Sequence, residues 1–217
     1  MTFVKFLIDV FVHLDKHLAD IITQYGVWTY GFLFLVIFME TGFVVTPFLP
    51  GDSLLFAAGT FAALGSMNIW LLLILLMVAA AAGNTVNYWI GYRLGDQAQH
   101  VKWVRKEYLD RAHAFFEKYG GKAIVLARFV PIIRTFAPFV AGISQMSYGY
   151  FSLYNIVGCV AWVLLFTLAG YFFGNIPVVK ANFEFVILGI LVISVLPAVW
   201  EAWKARRELQ KEKADAA

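Results

Sequence analysis

Four ionisable side chains stand in otherwise apolar surroundings: Glu40, Asp52, Arg128 and Arg134. An ionised group at the centre of a bilayer costs roughly 2.5–3.5 kcal/mol on insertion scales. Four isolated ones would cost roughly 10–14 kcal/mol, as much as the whole stability of a typical protein. They must meet each other, water or a ligand. Two acids facing two guanidiniums are formally neutral, and two chemistries suit such a set. The first is structural, a pair of salt bridges, although apolar packing replaces buried ion pairs at little loss. The second is an anion site with a proton switch. Arginine offers a rigid fork matched to phosphate and stays charged at any relevant pH. A phosphate monoester carries about −1.5 to −2 charge near neutral pH. Its arrival would leave excess negative charge, which a proton on Glu40 or Asp52 removes. Moving an arginine from carboxylate to phosphate favours that uptake.

The composition places these charges in a membrane. Of 217 residues, 61% are hydrophobic and 14% charged, against about 45–50% and 25% in soluble domains. A soluble monomer could not cover that apolar surface, and disorder, nucleic-acid binding and disulfide-stapled secretion fit poorly. The single cysteine, Cys159, has no internal partner and reads as a small packed hydrophobe. His13 and His17 sit four apart without a third ligand, so no metal is expected. The chain carries no Walker loop, GxSxG or HExxH, so neither an enzyme nor a cofactor is expected.

A spanning helix needs about 20 apolar residues. Ile69–Ile90, Phe151–Phe173 and Phe183–Trp203 pass, the last weakened by Pro197. Two regions fail on length. Trp28–Met39 meets Glu40, Pro47 and Pro50-Gly51-Asp52 before Leu54–Leu64 resumes. Ala123–Ala127 meets Arg128, Pro131, Arg134 and Pro138 before Phe139–Ile143. Each pair of short arms around a break reads as a re-entrant hairpin, tolerated where protein or a watery cavity surrounds its tip. Residues 3–24 and 91–122 read as amphipathic interfacial helices, the second basic. No cleavable signal peptide is evident, because Asp9, His13, Asp15 and Lys16 interrupt the apolar pattern. The fold class is therefore all-α integral membrane, with two re-entrant hairpins and about three full spans.

Most Lys and Arg fall in residues 93–122 and 204–213, which places the central helix and the C-terminus in the cytoplasm. The side of the N-terminus stays open. The order of elements repeats: residues of about 1–95 with a hairpin at 28–64, then about 96–175 with a hairpin at 122–146, and a C-terminal helix at 183–208 with a basic tail. Asp52-Ser53 and Leu54–Gly59 match Arg134-Thr135 and Phe136–Gly142; Gly91-Tyr92 matches Gly170-Tyr171. The two long spans run oppositely, which makes an inverted repeat, the arrangement by which secondary transporters build a midplane site. Asn84, Asn87 and Gly91 share one helical face. With Thr135 and Tyr92 they are candidate cavity-lining residues, interhelical hydrogen bonding being the alternative for the asparagines.

The stretches Glu40–Asp52 (ETGFVVTPFLPGD) and Arg128–Thr135 (RFVPIIRT) resemble the two signatures of the bacterial DedA family, also called the SNARE-associated or VTT-domain family. The likeness is strongest to inner-membrane members required for envelope integrity, the YqjA/YghB type. The resemblance implies a multi-pass inner-membrane transporter whose essential charged positions are Glu40, Asp52, Arg128 and Arg134. It implies translocation of undecaprenyl phosphate or a related phospho-lipid, coupled to protons or the proton motive force. Arg128 and Arg134 would hold the headgroup, while Glu40 and Asp52 carry the coupling. The alternative is a proton-dependent antiporter of small cations or drugs, supporting osmotic and alkaline tolerance. A third reading, an assembly factor, would tolerate Glu40→Arg combined with Arg128→Glu. Membrane lipid and protons are the expected partners, and homo-oligomerisation stays open.

Overall fold

The computed structural model describes residues 14–43, 51–98, 119–182, 185–186 and 189. Every regular element among them is an α-helix. In chain order these are α1 (Leu14–Tyr25), α2 (Trp28–Gly42), α3 (Gly51–Ala63), α4 (Ile69–Ala98), α5 (Lys122–Ala127), α6 (Pro131–Ile143), α7 (Tyr148–Phe173) and α8 (Pro177–Ala181). Two of them, α4 and α7, are long and apolar enough to cross a membrane. At about 1.5 Å per residue each exceeds the hydrocarbon thickness of about 30 Å. Nearly all of the third expected span, the first 13 residues, most of the basic segment, and Pro47 and Pro50 lie outside the described residues.

Element boundaries moved for identifiable reasons. Helix α4 continues beyond Ile90 through Gly91-Tyr92-Arg93-Leu94, because polar residues at a helix end do not break it. Between α5 and α6 the chain turns only at Arg128–Val130, and Pro131 opens α6 at its first turn. Pro131 therefore does stand at the break, where its missing N–H is not needed. Pro138 does not. It lies inside α6, where the N–H it lacks would have bonded the Arg134 carbonyl four residues back. The second arm thus begins eight residues earlier than Phe139, and Arg134 sits on a helix rather than in a loop. Gly51, expected in the other break, is the first residue of α3.

The packing crosses between the chain halves. Helix α2 lies on α4 and α5 on α7, each short arm on the long helix of its own half. Helix α3 instead packs on α7, and α6 on α4, while α4 and α7 cross. Both exchanged contacts depend on glycine. A methyl group at Gly59 would collide with the Thr167 carbonyl oxygen, and one at Gly170 with that of Phe56. Likewise Gly142 meets the Tyr88 carbonyl, and Gly91 that of Phe139. In all four the oxygen belongs to the residue three before the opposing glycine. Small residues of this kind let apolar helices approach backbone to backbone. Counting back from Gly59 and Gly142 aligns Asp52 with Thr135 and Gly51 with Arg134, one place from the match of Asp52-Ser53 with Arg134-Thr135.

The main core gathers Leu33, Ile37, Leu55, Ala58, Leu72, Leu76, Trp162 and Val163. A smaller cluster around Tyr88, Ile124, Ala141 and Phe151 lies beneath α5 and α6. Gly59→Val and Gly142→Val are expected to lower the melting temperature in detergent by roughly 2–12 °C, the effect of about 1–3 kcal/mol of overpacking. Gly31→Ala and Gly149→Ala, where an added methyl meets nothing within 4 Å, should leave it unchanged or raise it.

Candidate functional site

The four charged residues converge, and all are buried: Glu40 is 0% exposed, Asp52 7%, Arg128 2% and Arg134 4%. Glu40 sits in the last turn of α2 and Asp52 in the first turn of α3. The Glu40 carboxylate lies so close over Gly51 that a methyl group there would displace it. Both carboxylates stand near the N-terminus of α3, where exposed N–H groups and the helix dipole favour negative charge.

Arg134 reaches across from α6 and spreads its fork over both acids. Nη1 donates to Asp52 Oδ1 at 2.6 Å and Nη2 to Glu40 Oε1 at 2.6 Å. One guanidinium thus ties the α2–α3 pair to α6. Asn87, on α4, supports the arrangement from the backbone side. Its Nδ2 donates to the Thr135 carbonyl at 2.7 Å and to the Thr41 carbonyl at 3.3 Å, residues adjacent to Arg134 and Glu40.

Arg128 stands differently. It makes no ion pair among the described residues, and its Nε and Nη2 are buried without a hydrogen-bond partner. Its Cδ rests beside Gly158 of α7, 3.4 Å from where a Cβ would lie. Its Cζ lies 5.1 Å from the ring centre of Trp162, and the Arg134 Cζ lies 4.8 Å from that same centre. Trp162 Nε1 donates to Asp52 Oδ1 at 2.7 Å. An oxygen of Glu40, Oε2, and Nε of Arg134 are also unpartnered. The α6 N-terminus begins three residues after Arg128, and a helix N-terminus favours negative charge.

The expected candidates separate into groups. The two acids and two arginines are brought together. Asn84, Asn87 and Thr135 occupy helix–helix contacts, and Asn84 Nδ2 donates to Asn155 Oδ1 at 2.7 Å, joining α4 to α7. Tyr92 is exposed, stacks with Tyr88 and meets Trp89 edge to face. Trp162 and Asn155 carried no signal in the sequence beyond an aromatic and an amide in a long apolar run. Because Glu40 pairs with Arg134, the charge exchange that probes a purely structural pair is Glu40 with Arg134, not with Arg128. No group of three metal-ligating side chains occurs among the described residues.

A cleft of about 390 Å³ opens between α4 and α7. Its walls are largely apolar, including Met77, Val78, Ala81, Ile156 and Val160, and Asn155 and Cys159 form part of its lining. Gly158, against which Arg128 lies, is the chain neighbour of Cys159 in that lining.

Paired charges between arms of two exchanged helix pairs define a helical, membrane-type domain, and residues 49–172 match the VTT domain. The chain belongs to this family, the DedA family. It is 53% identical to Protein DedA of Escherichia coli (strain K12), over 95% of this chain and 97% of that one. It is 42% identical to the uncharacterized membrane protein Rv0364 of Mycobacterium tuberculosis, over 84% of each. It is 38% identical to the inner membrane protein YqjA of Escherichia coli (strain K12), over 69% of each. No solved structure matches.

The two arginines should respond oppositely to neutralisation. Arg134→Gln leaves two buried carboxylates without their cation and should cost about 3–5 kcal/mol, lowering the melting temperature by roughly 6–20 °C. Arg128→Gln removes a buried charge that has no ion-pair partner among the described residues, so its melting temperature should match or exceed that of the wild type. Thermal denaturation of both variants in one detergent checks this.

Proposed function

We propose that the protein translocates a phospho-lipid, undecaprenyl phosphate or a related lipid phosphate, across the bacterial inner membrane, coupled to protons. The observation that carries the reading is Arg128, a buried guanidinium with two unpartnered nitrogens and no ion pair among the described residues. A desolvated cation of this kind, beside a helix N-terminus, fits an anion that arrives and leaves. The apolar cleft that Asn155 and Cys159 help to line suits a hydrocarbon tail, and its largely apolar walls favour a lipid over a soluble anion.

In this reading α2–α3 and α5–α6 are two re-entrant hairpins of an inverted repeat. The reciprocal glycine contacts support the repeat. Three spans and a cytoplasmic C-terminus complete the proposed topology, and the name of the inner-membrane relative supports the compartment. The headgroup binds Arg128 first. A dianionic phosphate then makes the site negative, and Glu40, whose Oε2 is unpartnered, takes up a proton. That releases Arg134 Nη2 from Glu40 Oε1 and lets Arg134 join the phosphate. Both carboxylates are held by Arg134, which supports a coupling role for them more than an open cation site of the antiporter kind.

Leaflet-resolved transport of undecaprenyl phosphate in proteoliposomes with imposed pH gradients tests the proposal. Arg128→Gln should weaken lipid-phosphate binding about 10- to 100-fold, the loss of a charge-assisted contact, and slow transport accordingly. Wild-type affinity should strengthen as pH falls, and Glu40→Gln should flatten that dependence. Inorganic phosphate binding as tightly as the lipid, with no lipid moving between leaflets, would point to a soluble anion. Proton flux driven by small cations, with Arg128→Gln as active as wild type, would favour an antiporter.

A further inference from the structure

Trp162 touches every part of the charge cluster except Glu40. It is fully buried and the largest such side chain in the molecule's described part. Its indole N–H donates to the Asp52 oxygen that also receives Arg134 Nη1. Its ring lies within cation–π reach of both guanidiniums. Packing accounts for a buried tryptophan, but not for a polar edge spent on one acid while two cations sit on the ring. A guanidinium over an aromatic face is attracted by the ring quadrupole without using any of its N–H donors. Those donors stay available for charge-assisted bonds to an oxyanion, which are stronger and directional.

We infer that Trp162 is the positioning residue of the anion site: its ring holds Arg128 with Nε and Nη2 free for the oxygens of a phosphate monoester, while its N–H fixes Asp52 on Arg134. This rests on the reading of Arg128 as the phosphate ligand. One side chain therefore sets the place of the free cation and of the paired one. Phosphate on Arg128 redistributes charge beside the indole and draws the guanidinium along the ring, so the indole reports occupancy.

The test uses the full chain in nanodiscs with 5-fluorotryptophan at every tryptophan. The Trp162 fluorine resonance is the one absent from Trp162→Phe. Inorganic phosphate and, separately, dodecyl phosphate are titrated against a chloride control of equal ionic strength, with calorimetry in parallel. The Trp162 resonance should shift along a saturable curve with the calorimetric Kd, and Arg128→Gln should abolish the shift. A stronger response to dodecyl phosphate identifies a lipid headgroup as the source of the anion; equal responses identify free phosphate. Trp162→Phe keeps a ring and should bind within about 3-fold of wild type, whereas Trp162→Leu should bind about 10-fold more weakly or worse. Saturable phosphate binding that needs Arg128 but leaves the Trp162 resonance unmoved overturns the assignment while the phosphate reading survives. Wild-type affinity in Trp162→Leu overturns it as well. Absence of phosphate binding to the wild type overturns both. Should Trp162→Leu fail to fold, the resonance in the unsubstituted chain still decides.

Discussion

The structure depends on a single guanidinium shared by two carboxylates. Placing Glu40 and Asp52 in a low-dielectric interior carries a desolvation cost of several kcal/mol per ion, and Arg134 offsets it by bonding both at 2.6 Å. The fork does this because its two terminal nitrogens point the same way at fixed spacing; a lysine, one point charge, could not hold two acids in one plane. The arrangement also explains why the elements meet where they do. The acids close the end of α2 and open α3, and the cation stands in the first turns of α6. Three helix ends are fastened at one point, with Asn87 anchoring the backbone beside two of the three charged groups.

Using Arg134 for two acids leaves Arg128 without an ion pair among the described residues. A set that is neutral by count is thus uneven in space, with two carboxylates sharing one cation and a second buried cation facing an aromatic ring. A pure clamp would pair its charges one to one, and these are not so paired among the described residues. Substituting either arginine asks a different question of the protein, and the two are not interchangeable despite their proximity.

Much of this was legible in the sequence. Single charges in apolar runs cannot be accidental at several kcal/mol each, so Glu40, Asp52, Arg128 and Arg134 identified themselves by cost alone. The two long helices were equally plain from length and composition. What could not be read was who pairs with whom. Two acids and two bases allow several pairings, and only the approach of α6 to the α2–α3 ends selects Arg134 for both. Trp162 was hidden because tryptophan is unremarkable in an apolar helix, and its role lies in a hydrogen bond formed across 110 residues of chain. Pro138 misled for a physical reason. A proline interrupts one backbone bond, but a helix packed on both sides continues past it, so the break fell at Arg128–Val130 instead.

The exchange of arms between halves bears on how the chain is made. Helix α3 finds its partner surface on α7, and the Thr60 hydroxyl that bonds the Gly170 carbonyl is 110 residues from it. At roughly 5–20 residues per second, a ribosome needs on the order of 5–20 s to supply that surface. During this interval α3 emerges with Gly59 and Phe56 facing no counterpart. The N-terminal half therefore cannot mature alone, and a nascent chain halted before residue 148 would present an unmet helix face to insertion and quality-control machinery.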